Sequence, residues 1–137
     1  WPWISKKDQT KKDIEIQGIK RKWNHCTEGW VHTSEAIDEV GCIHSIQGYD
    51  LNYAGVIIGW EIDYDPINNI ITVSKDMYQD AKGKEKVDEK ILRNYIKNIY
   101  ATLLERGMYG TYIYVCNESL RDYFKRFFTF VPHRTKG

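Results

Sequence analysis

The chain has 137 residues, of which 42% are hydrophobic, and its formal net charge is only +1 at pH 7. This length and apolar content predict one modest core, and the low charge excludes a strongly basic nucleic-acid-binding protein, so any such site must be local. The cysteines lack the C-x-x-C spacing of a structural zinc, and no apolar run approaches the ~20 residues that cross a bilayer.

Cysteine usage and the first residues bear on where the protein works. Any disulfide scheme leaves one thiol unpaired among the three cysteines, which are Cys26, Cys42 and Cys116. We interpret them as reduced thiols, and no charged-then-apolar signal segment opens the chain. The sequence begins Trp1-Pro2-Trp3 without an initiator methionine, which is typical of a piece cut from a longer chain. We therefore expect a soluble, cytoplasmic fragment with no membrane contact.

The N-terminal stretch is basic and aromatic. Residues 13–23 alternate between polar and apolar, which predicts an edge strand with Ile14, Ile16 and Ile19 partly inward. Cationic side chains outnumber the acids here, and they are Lys6, Lys7, Lys11, Lys12, Lys20, Arg21 and Lys22. Either these lysines blunt a solvated edge strand, or the stretch meets a nucleic-acid backbone. We expect residues 1–33 to form an edge segment and residues 34–137 to form the main domain.

The middle of the chain predicts short elements of an α/β sheet. Residues 34–40 predict a short helix opened by a serine cap, and residues 40–45 a strand that enters a turn at Gln47-Gly48. Residues 53–59 are almost continuously apolar and β-branched, as in a strand covered on both faces. Two further β-rich stretches, residues 60–64 and 70–73, flank Asp-Pro and Asn-Asn pairs, which predicts a β-hairpin.

The last third predicts a helix, a strand and a helix after the polar loop of residues 75–88. Apolar residues recur at helical spacing over residues 87–106, and Gly107 follows as a C-terminal cap. Residues 111–116 predict a strand and residues 118–128 an amphipathic helix, whose expected inward side chains are Leu120, Tyr123, Phe124 and Phe127. This order favours a parallel or mixed sheet flanked by helices.

Several kinds of catalytic site have no support in the sequence. No G-x-x-x-x-G-K-[ST] cradle for phosphate occurs, and no G-x-S-x-G, H-E-x-x-H or Cys-His nucleophile pattern is present. His25 and His32 lie near Cys26, but their irregular spacing argues against a metal site. Independent hydrolytic chemistry is therefore not expected of this chain.

Two segments carry a resemblance to known proteins. The first runs Cys42-Ile-His44-Ser-Ile-Gln47-Gly48-Tyr-Asp50 and precedes an apolar strand; the second, Leu104-Glu105-Arg106-Gly107, ends the long helix before another strand. They resemble motifs V and VI of superfamily-one helicases, H-x-x-Q-G-x-[ED] and L-T-R-[AG]. Over residues 36–125 the chain is similar to a bacterial family of helicase-like P-loop proteins of unknown function, predicted to bind ATP or GTP and related to schlafen-type ATPases.

The resemblance implies a fold and a set of roles. The fold is a RecA-like three-layer fragment with a parallel or mixed sheet flanked by helices and an inserted β-hairpin. Gln47, Gly48 and Asp50 would line the far wall of an ATP cleft, and Arg106 would be an arginine finger. His44 and Ser45 would face DNA or RNA. The family places its P-loop in an N-terminal domain of the same chain, which would bind most of the ATP and its Mg²⁺.

Elementary chemistry agrees with two of these roles and leaves alternatives for others. A glycine lets the backbone approach a phosphate closely, and Asp50 can accept a hydrogen bond from a ribose hydroxyl. Arg106 also suits a helix end, where a cation complements the macrodipole. His44 also suits a position inside the sheet, bonded to a backbone carbonyl. Cys42 and Glu105 stand where the family patterns have threonine.

We therefore expect the second RecA-like domain of a nucleic-acid-dependent nucleotide hydrolase, inactive by itself. The alternative is a non-catalytic module with a helicase-like fold that binds nucleic acid or a protein. The sequence does not distinguish DNA from RNA or ATP from GTP.

Overall fold

A computed structural model describes residues 1–79 and 88–131, and the chain divides into two compact units. The first unit comprises Trp1–Ala54 and Lys97–Tyr112, and the second comprises Gly55–Ile96 and Ile113–Gly137. The strands are β1 (Ile14–Ile16), β2 (Ile19–Trp23), β3 (Glu39–Val40), β4 (Leu51–Ile58), β5 (Ile62–Asp65), β6 (Ile70–Val73) and β7 (Gly107–Val115). The α-helices are α1 (Ile43–Ile46), α2 (Glu89–Leu104) and α3 (Glu118–Phe124), and 3-10 helices span Trp30–His32 and Ser34–Asp38.

The N-terminal stretch forms a hairpin where the sequence predicted one edge strand. Gln17 and Gly18 both have positive φ, 50° and 80°, and join β1 to β2 in an antiparallel pair. Two-residue turns of this kind match the twist of the strands they connect. Because the chain reverses here, Ile14 is buried but Ile19 is 54% exposed, so its expected inward position is wrong. β2 continues the sheet by pairing in parallel with β3.

The strand predicted over residues 40–45 is wrong beyond Val40. The chain turns into the short helix α1, in which the Ser45 N–H donates to the Cys42 carbonyl at 3.1 Å. The side-chain oxygen of Asn24 accepts a hydrogen bond from the Cys42 N–H at 3.0 Å. This bond satisfies a backbone donor that a sheet neighbour would otherwise take, so β3 ends early. Preceding it, residues 34–38 are helical as predicted, although Thr33 is the N-cap and makes no side-chain capping bond.

β4 pairs with β7. The Leu51 N–H donates to the Arg106 carbonyl at 2.9 Å, and the Cys116 N–H donates to the Ile58 carbonyl at 3.0 Å. From the first hydrogen-bonded pair to the second, the residue numbers increase in both strands, so β4 and β7 run parallel. Burial alternates in β4 from Tyr53 onwards, where Tyr53 is 62% exposed and Ala54 is buried. The prediction that both faces of this strand are covered is therefore wrong for these residues.

The second unit contains the predicted β-hairpin, which is confirmed as β5 and β6 in antiparallel register. Asp65 stabilises its turn by accepting hydrogen bonds from the Ile67 and Asn68 N–H groups at 2.9 and 3.2 Å. Helix α3 packs on β5, where the rings of Tyr123 and Tyr64 stack with centroids 4.2 Å apart. Leu120 of α3 is fully buried. This hairpin and helix thus form a local core.

The long helix α2 is confirmed, with Leu92 and Ile96 fully buried. Gly107 does not cap it in a left-handed conformation, because its φ is not positive and it already begins β7. Side chains bind the free carbonyls at the helix end instead. The Thr111 hydroxyl donates to Leu104 O at 2.9 Å, and Arg106 Nε donates to Thr102 O at 3.1 Å. A Cβ on Gly107 would meet the Gly110 carbonyl, which explains the need for glycine.

The α/β class is confirmed: small parallel and antiparallel sheets are flanked by helices and accompanied by a β-hairpin. The two longest strands, β4 and β7, are neighbours in one sheet. β3 belongs to a different sheet, together with β1 and β2. Of the predicted loop, residues 75–77 form a turn and residues 80–87 lie outside the described residues. No helix in the described part of the chain is long and apolar enough to cross a membrane.

Candidate functional site

The H-x-x-Q-G segment is built on α1 and the turn that follows it. Gln47 leaves the helix with φ −63° and ψ 131°, and Gly48 then adopts φ 86°. A Cβ at Gly48 would meet no atom within 4 Å, so the glycine is required by its backbone conformation and not by crowding. The Tyr49 N–H closes the turn on the Ile46 carbonyl at 3.3 Å. The exposed backbone at Gly48 is therefore open to a ligand.

The structure brings Asp50 and Arg106 together. Asp50 Oδ1 lies 3.8 Å from Arg106 Nη1, and the next residue, Leu51, donates its N–H to the Arg106 carbonyl. The Asp50 side chain is 74% exposed, whereas that of Arg106 is 22% exposed. An ion pair with one such exposed partner contributes only about 0–1 kcal/mol to stability. The pair therefore places the guanidinium near the Gly48 turn without fixing it there strongly.

Arg106 has a second contact, at the end of α2. Its Nε donates to the Thr102 carbonyl at 3.1 Å, one of the carbonyls that an α-helix leaves free in its last turn. This contact is what a helix-capping arginine makes. Glu105, its neighbour, is exposed, and the ion pair of Arg106 is made with Asp50. The guanidinium thus reaches from the helix end to the turn after α1.

His44 and Ser45 lie on α1 but differ in environment. His44 is exposed on the helix, so its alternative position inside a sheet is wrong. Ser45 is fully buried, and its hydroxyl donates to the Cys42 carbonyl at 2.9 Å. In this conformation the hydroxyl of Ser45 is hydrogen-bonded within the first turn of α1. The side chain of His44 is exposed to solvent.

A carboxylate that sequence reasoning missed organises the residues before β3. Glu39 Oε2 accepts hydrogen bonds from the His25 N–H at 3.1 Å and from Trp30 Nε1 at 2.8 Å, and it lies 2.9 Å from His25 Nδ1. Burial raises the pKa of Glu39, but the hydrogen bonds from His25 and Trp30 outweigh it and hold the pKa below its usual value. His25 therefore contacts a carboxylate rather than completing a metal site with Cys26.

Asp13 is a second missed carboxylate. It is buried, and it accepts hydrogen bonds from the Ser5 N–H at 2.7 Å, the Ser5 hydroxyl at 2.6 Å and the Trp23 N–H at 2.8 Å. Burial raises the pKa of Asp13, but the hydrogen bonds from Ser5 and Trp23 lower it by a larger amount. The net shift of the pKa is therefore downward. No sequence periodicity links Ser5 to Asp13. The available signal was an acid that follows two lysines and directly precedes the first apolar residue of a strand.

The three cysteines are free, as predicted. Burial and, to a smaller extent, the negative charge of Glu61 raise the pKa of Cys116 to about 11, so this thiol stays protonated near neutral pH. A protonated, buried thiol is a poor nucleophile. Within residues 1–79 and 88–131, no group of three or more His, Cys, Asp or Glu side chains is placed to hold a metal ion.

Comparison with known proteins identifies the family. Residues 1–117 match the family described as Schlafen group 3, DNA/RNA helicase domain. Over 117 residues the chain is 38% identical to the uncharacterized protein YPL245W of Saccharomyces cerevisiae (strain ATCC 204508 / S288c), covering 76% of this chain. The chain spans only 25% of the length of that relative. No solved structure gives a significant match. These matches support a schlafen-related, helicase-like family, but neither supports the bacterial affiliation expected above.

Proposed function

Because this chain belongs to the Schlafen group 3 DNA/RNA helicase domain family, we propose that it is one half of the motor of a nucleic-acid-dependent ATPase. The other half would be a P-loop domain on the N-terminal side of the full-length protein. The observation that carries the proposal is the contact of Asp50 with Arg106 beside the Gly48 turn. Residues from two separate motifs thereby lie within one small surface of the first unit.

Each residue of this surface has a chemical role in the proposal. Arg106 donates hydrogen bonds to the phosphoryl group as negative charge develops on it, and Asp50 accepts a hydrogen bond from a ribose hydroxyl. Gln47 and the Gly48 backbone form the wall beside them, where the absence of atoms near Gly48 leaves room for a ligand. The P-loop domain would hold Mg²⁺, which neutralises phosphate charge. This chain contains no phosphate cradle, so it would bind nucleotide weakly by itself.

The energetics allow the end of the Arg106 guanidinium to leave its ion pair with Asp50. An arginine finger accelerates phosphoryl transfer by about 10³ to 10⁵, or about 4–7 kcal/mol of transition-state stabilisation. Releasing Nη1 from the exposed Asp50 costs only about 0–1 kcal/mol. The gain exceeds the cost, so the observed ion pair is compatible with a resting position of the finger.

The direct test measures hydrolysis in the full-length protein with nucleic acid present. Arg106→Ala should lower kcat by about 10³ or more while the KM for ATP changes by less than about tenfold. Arg106→Lys should restore little activity, because lysine lacks the planar fork that bridges two oxygens. Arg21→Ala is the matched control, since Arg21 also faces an exposed acid, Asp38, at 3.9 Å. Parental activity in Arg106→Ala would remove the finger from the proposal.

A second candidate function is a non-catalytic binding module, and the Arg106 Nε contact with Thr102 O favours it. In that case Arg106 only completes the end of α2. The full-length protein would then bind nucleic acid without hydrolysing ATP. Arg106→Ala would lower its free energy of unfolding and would have no effect on catalysis. Reading the coding sequence upstream of Trp1 for G-x-x-x-x-G-K-[ST] separates the two candidates before any protein is made.

A further inference from the structure

Positive charge is concentrated in the first residues of the chain. Residues 1–24 contain seven lysines and arginines against three acids, a net charge of +4, whereas the whole chain carries +1. The remaining residues are therefore net negative. Five of the lysines lie in or beside one segment, residues 4–12, which we call the lysine loop. They are Lys6, Lys7, Lys11, Lys12 and, on the adjoining strand β2, Lys22.

The lysine loop is folded against the sheet. Both the N–H and the hydroxyl of Ser5 donate to the buried carboxylate of Asp13, which also binds the Trp23 N–H of β2. Within the loop, the Lys7 N–H donates to Ile4 O at 3.0 Å, and the Lys11 N–H donates to Asp8 O at 3.0 Å. A buried carboxylate and two turns thus hold a segment whose outward side chains are largely cationic.

Most of the lysines of the loop form no ion pair with an acid among the described residues. Lys11 pairs with Asp8 at 3.8 Å, and both side chains remain largely exposed. In the part of the chain that the structure describes, no carboxylate forms an ion pair with the others, which are Lys6, Lys7, Lys12 and Lys22. Holding like charges close together in a folded loop is unfavourable unless an anion compensates them.

Aromatic rings lie beside these cations. Lys6 Nζ is 4.1 Å from the ring centroid of Trp3, and the Trp3 ring lies 6.1 Å from that of Trp23. Trp3 is half-buried. Cationic side chains interleaved with aromatic rings are the combination with which proteins bind single-stranded nucleic acid.

We propose that the lysine loop binds the sugar–phosphate backbone of single-stranded nucleic acid, at a surface additional to His44. The inference rests on the proposed function only for the class of partner, because it requires neither Arg106 nor ATP. A single strand carries one phosphate for each nucleotide, so several lysines of the loop can each contact a phosphate of the same strand. Sequence specificity is not expected, since phosphate contacts carry none.

The test is nucleotide-free binding of the full-length protein to a fluorescent oligouridylate of about 20 nucleotides, longer than the roughly 4–16 that one small domain covers. The variant Lys6→Gln/Lys7→Gln/Lys12→Gln should bind about tenfold or more weakly. Its plot of log K against log salt should be shallower by about 2, because each single-strand phosphate contact contributes about 0.7. The matched control is Lys90→Gln/Lys97→Gln/Lys125→Gln, which removes the same charge elsewhere and should bind like the parent.

Three outcomes would overturn the inference: a loop variant with parental affinity and salt slope, an equal loss in the control, or binding of phosphatidylserine vesicles in place of oligouridylate. A triple lysine-to-arginine variant of the loop keeps the charge and should bind normally, which would attribute the loss in the glutamine variant to the removal of positive charge. Arg106→Ala should also bind oligouridylate normally. Normal hydrolysis by Arg106→Ala alongside lost binding by the loop variant would remove the finger from the proposed function and leave this inference standing.

Discussion

Asp50 and Arg106 are joined by an ion pair of 3.8 Å between Oδ1 and Nη1, although they come from different motifs far apart in the sequence. The backbone holds them in this relation, because the Leu51 N–H donates to the carbonyl of Arg106 itself. The carboxylate therefore remains beside the end of α2 whether or not the side-chain contact is made. Because the Asp50 side chain is 74% exposed, a ligand can still reach its carboxylate.

Asp50→Ala should raise the KM for ATP in the full-length protein by about 3- to 10-fold, the worth of one hydrogen bond to a charged or polar group. The kcat should change little, since Asp50 contacts the sugar and not the reacting phosphate. ATP analogues that lack the ribose hydroxyls test the cause, because the parent and the variant should then have similar KM values.

Asp38→Ala is the matched control for Asp50→Ala. Asp38 is 78% exposed and lies 3.9 Å from Arg21, a geometry close to that of the Asp50 pair. Its removal should leave the KM unchanged. A full KM difference that persists with the hydroxyl-free analogues would contradict a ribose contact.

Gly48→Ala should lower the free energy of unfolding by about 1–3 kcal/mol, because an alanine at a φ of 86° is strained even though no atom lies near its Cβ. Gly48→Asn should cost less, since asparagine tolerates the left-handed region better. Urea denaturation measures the free energy of unfolding of each variant. Gly55→Ala is the control, because Gly55 also has open space around its Cβ but no positive φ, and it should be nearly neutral.

His44→Ala and Ser45→Ala should affect different properties of the protein, the first nucleic-acid binding and the second stability. His44 is exposed, so its replacement should change the free energy of unfolding by less than about 0.5 kcal/mol and weaken binding of oligouridylate. Ser45 is fully buried and donates to Cys42 O, so its replacement should cost about 0.5–1.5 kcal/mol. Thermal denaturation and fluorescence anisotropy separate the two effects. A His44→Ala protein that binds like the parent would leave α1 without a nucleic-acid contact.

Asp13 should make the N-terminal segment sensitive to acid. A carboxyl group with a lowered folded-state pKa contributes stability above its unfolded pKa, near 3.8, and loses it as pH falls through the lower folded value. The lysine loop should therefore begin to loosen as the pH falls below about 4, which amide hydrogen exchange of residues 4–12 would detect. Asp13→Asn should loosen the loop at neutral pH and remove this dependence. Unchanged exchange in that variant would show that Asp13 does not hold the loop.

Local patterns in the sequence were sufficient for several elements. The hairpin of β5 and β6 follows from the turn residues Asp65 and Asn68, and α2 follows from apolar residues at helical spacing, because both signals act between near neighbours. The schlafen-related, helicase-like family expected from the sequence is confirmed by the match over residues 1–117, which does not test the assignment of the two motifs. Which residues of those motifs act on a ligand remains a prediction.

Other features were decided by contacts between residues distant in the chain. β3 ends at Val40 because Asn24 accepts the Cys42 N–H, and the N-terminal lysines form a loop because Ser5 reaches Asp13. Arg106 meets Asp50 only because β4 pairs with β7. The sequence by itself determined helix α2 and the hairpin of β5 and β6, since the free energies involved are local, but it predicted a strand where Ile43–Ile46 forms a helix. The tertiary structure decided which polar groups found partners, because a buried donor or carboxylate requires one wherever the chain can supply it.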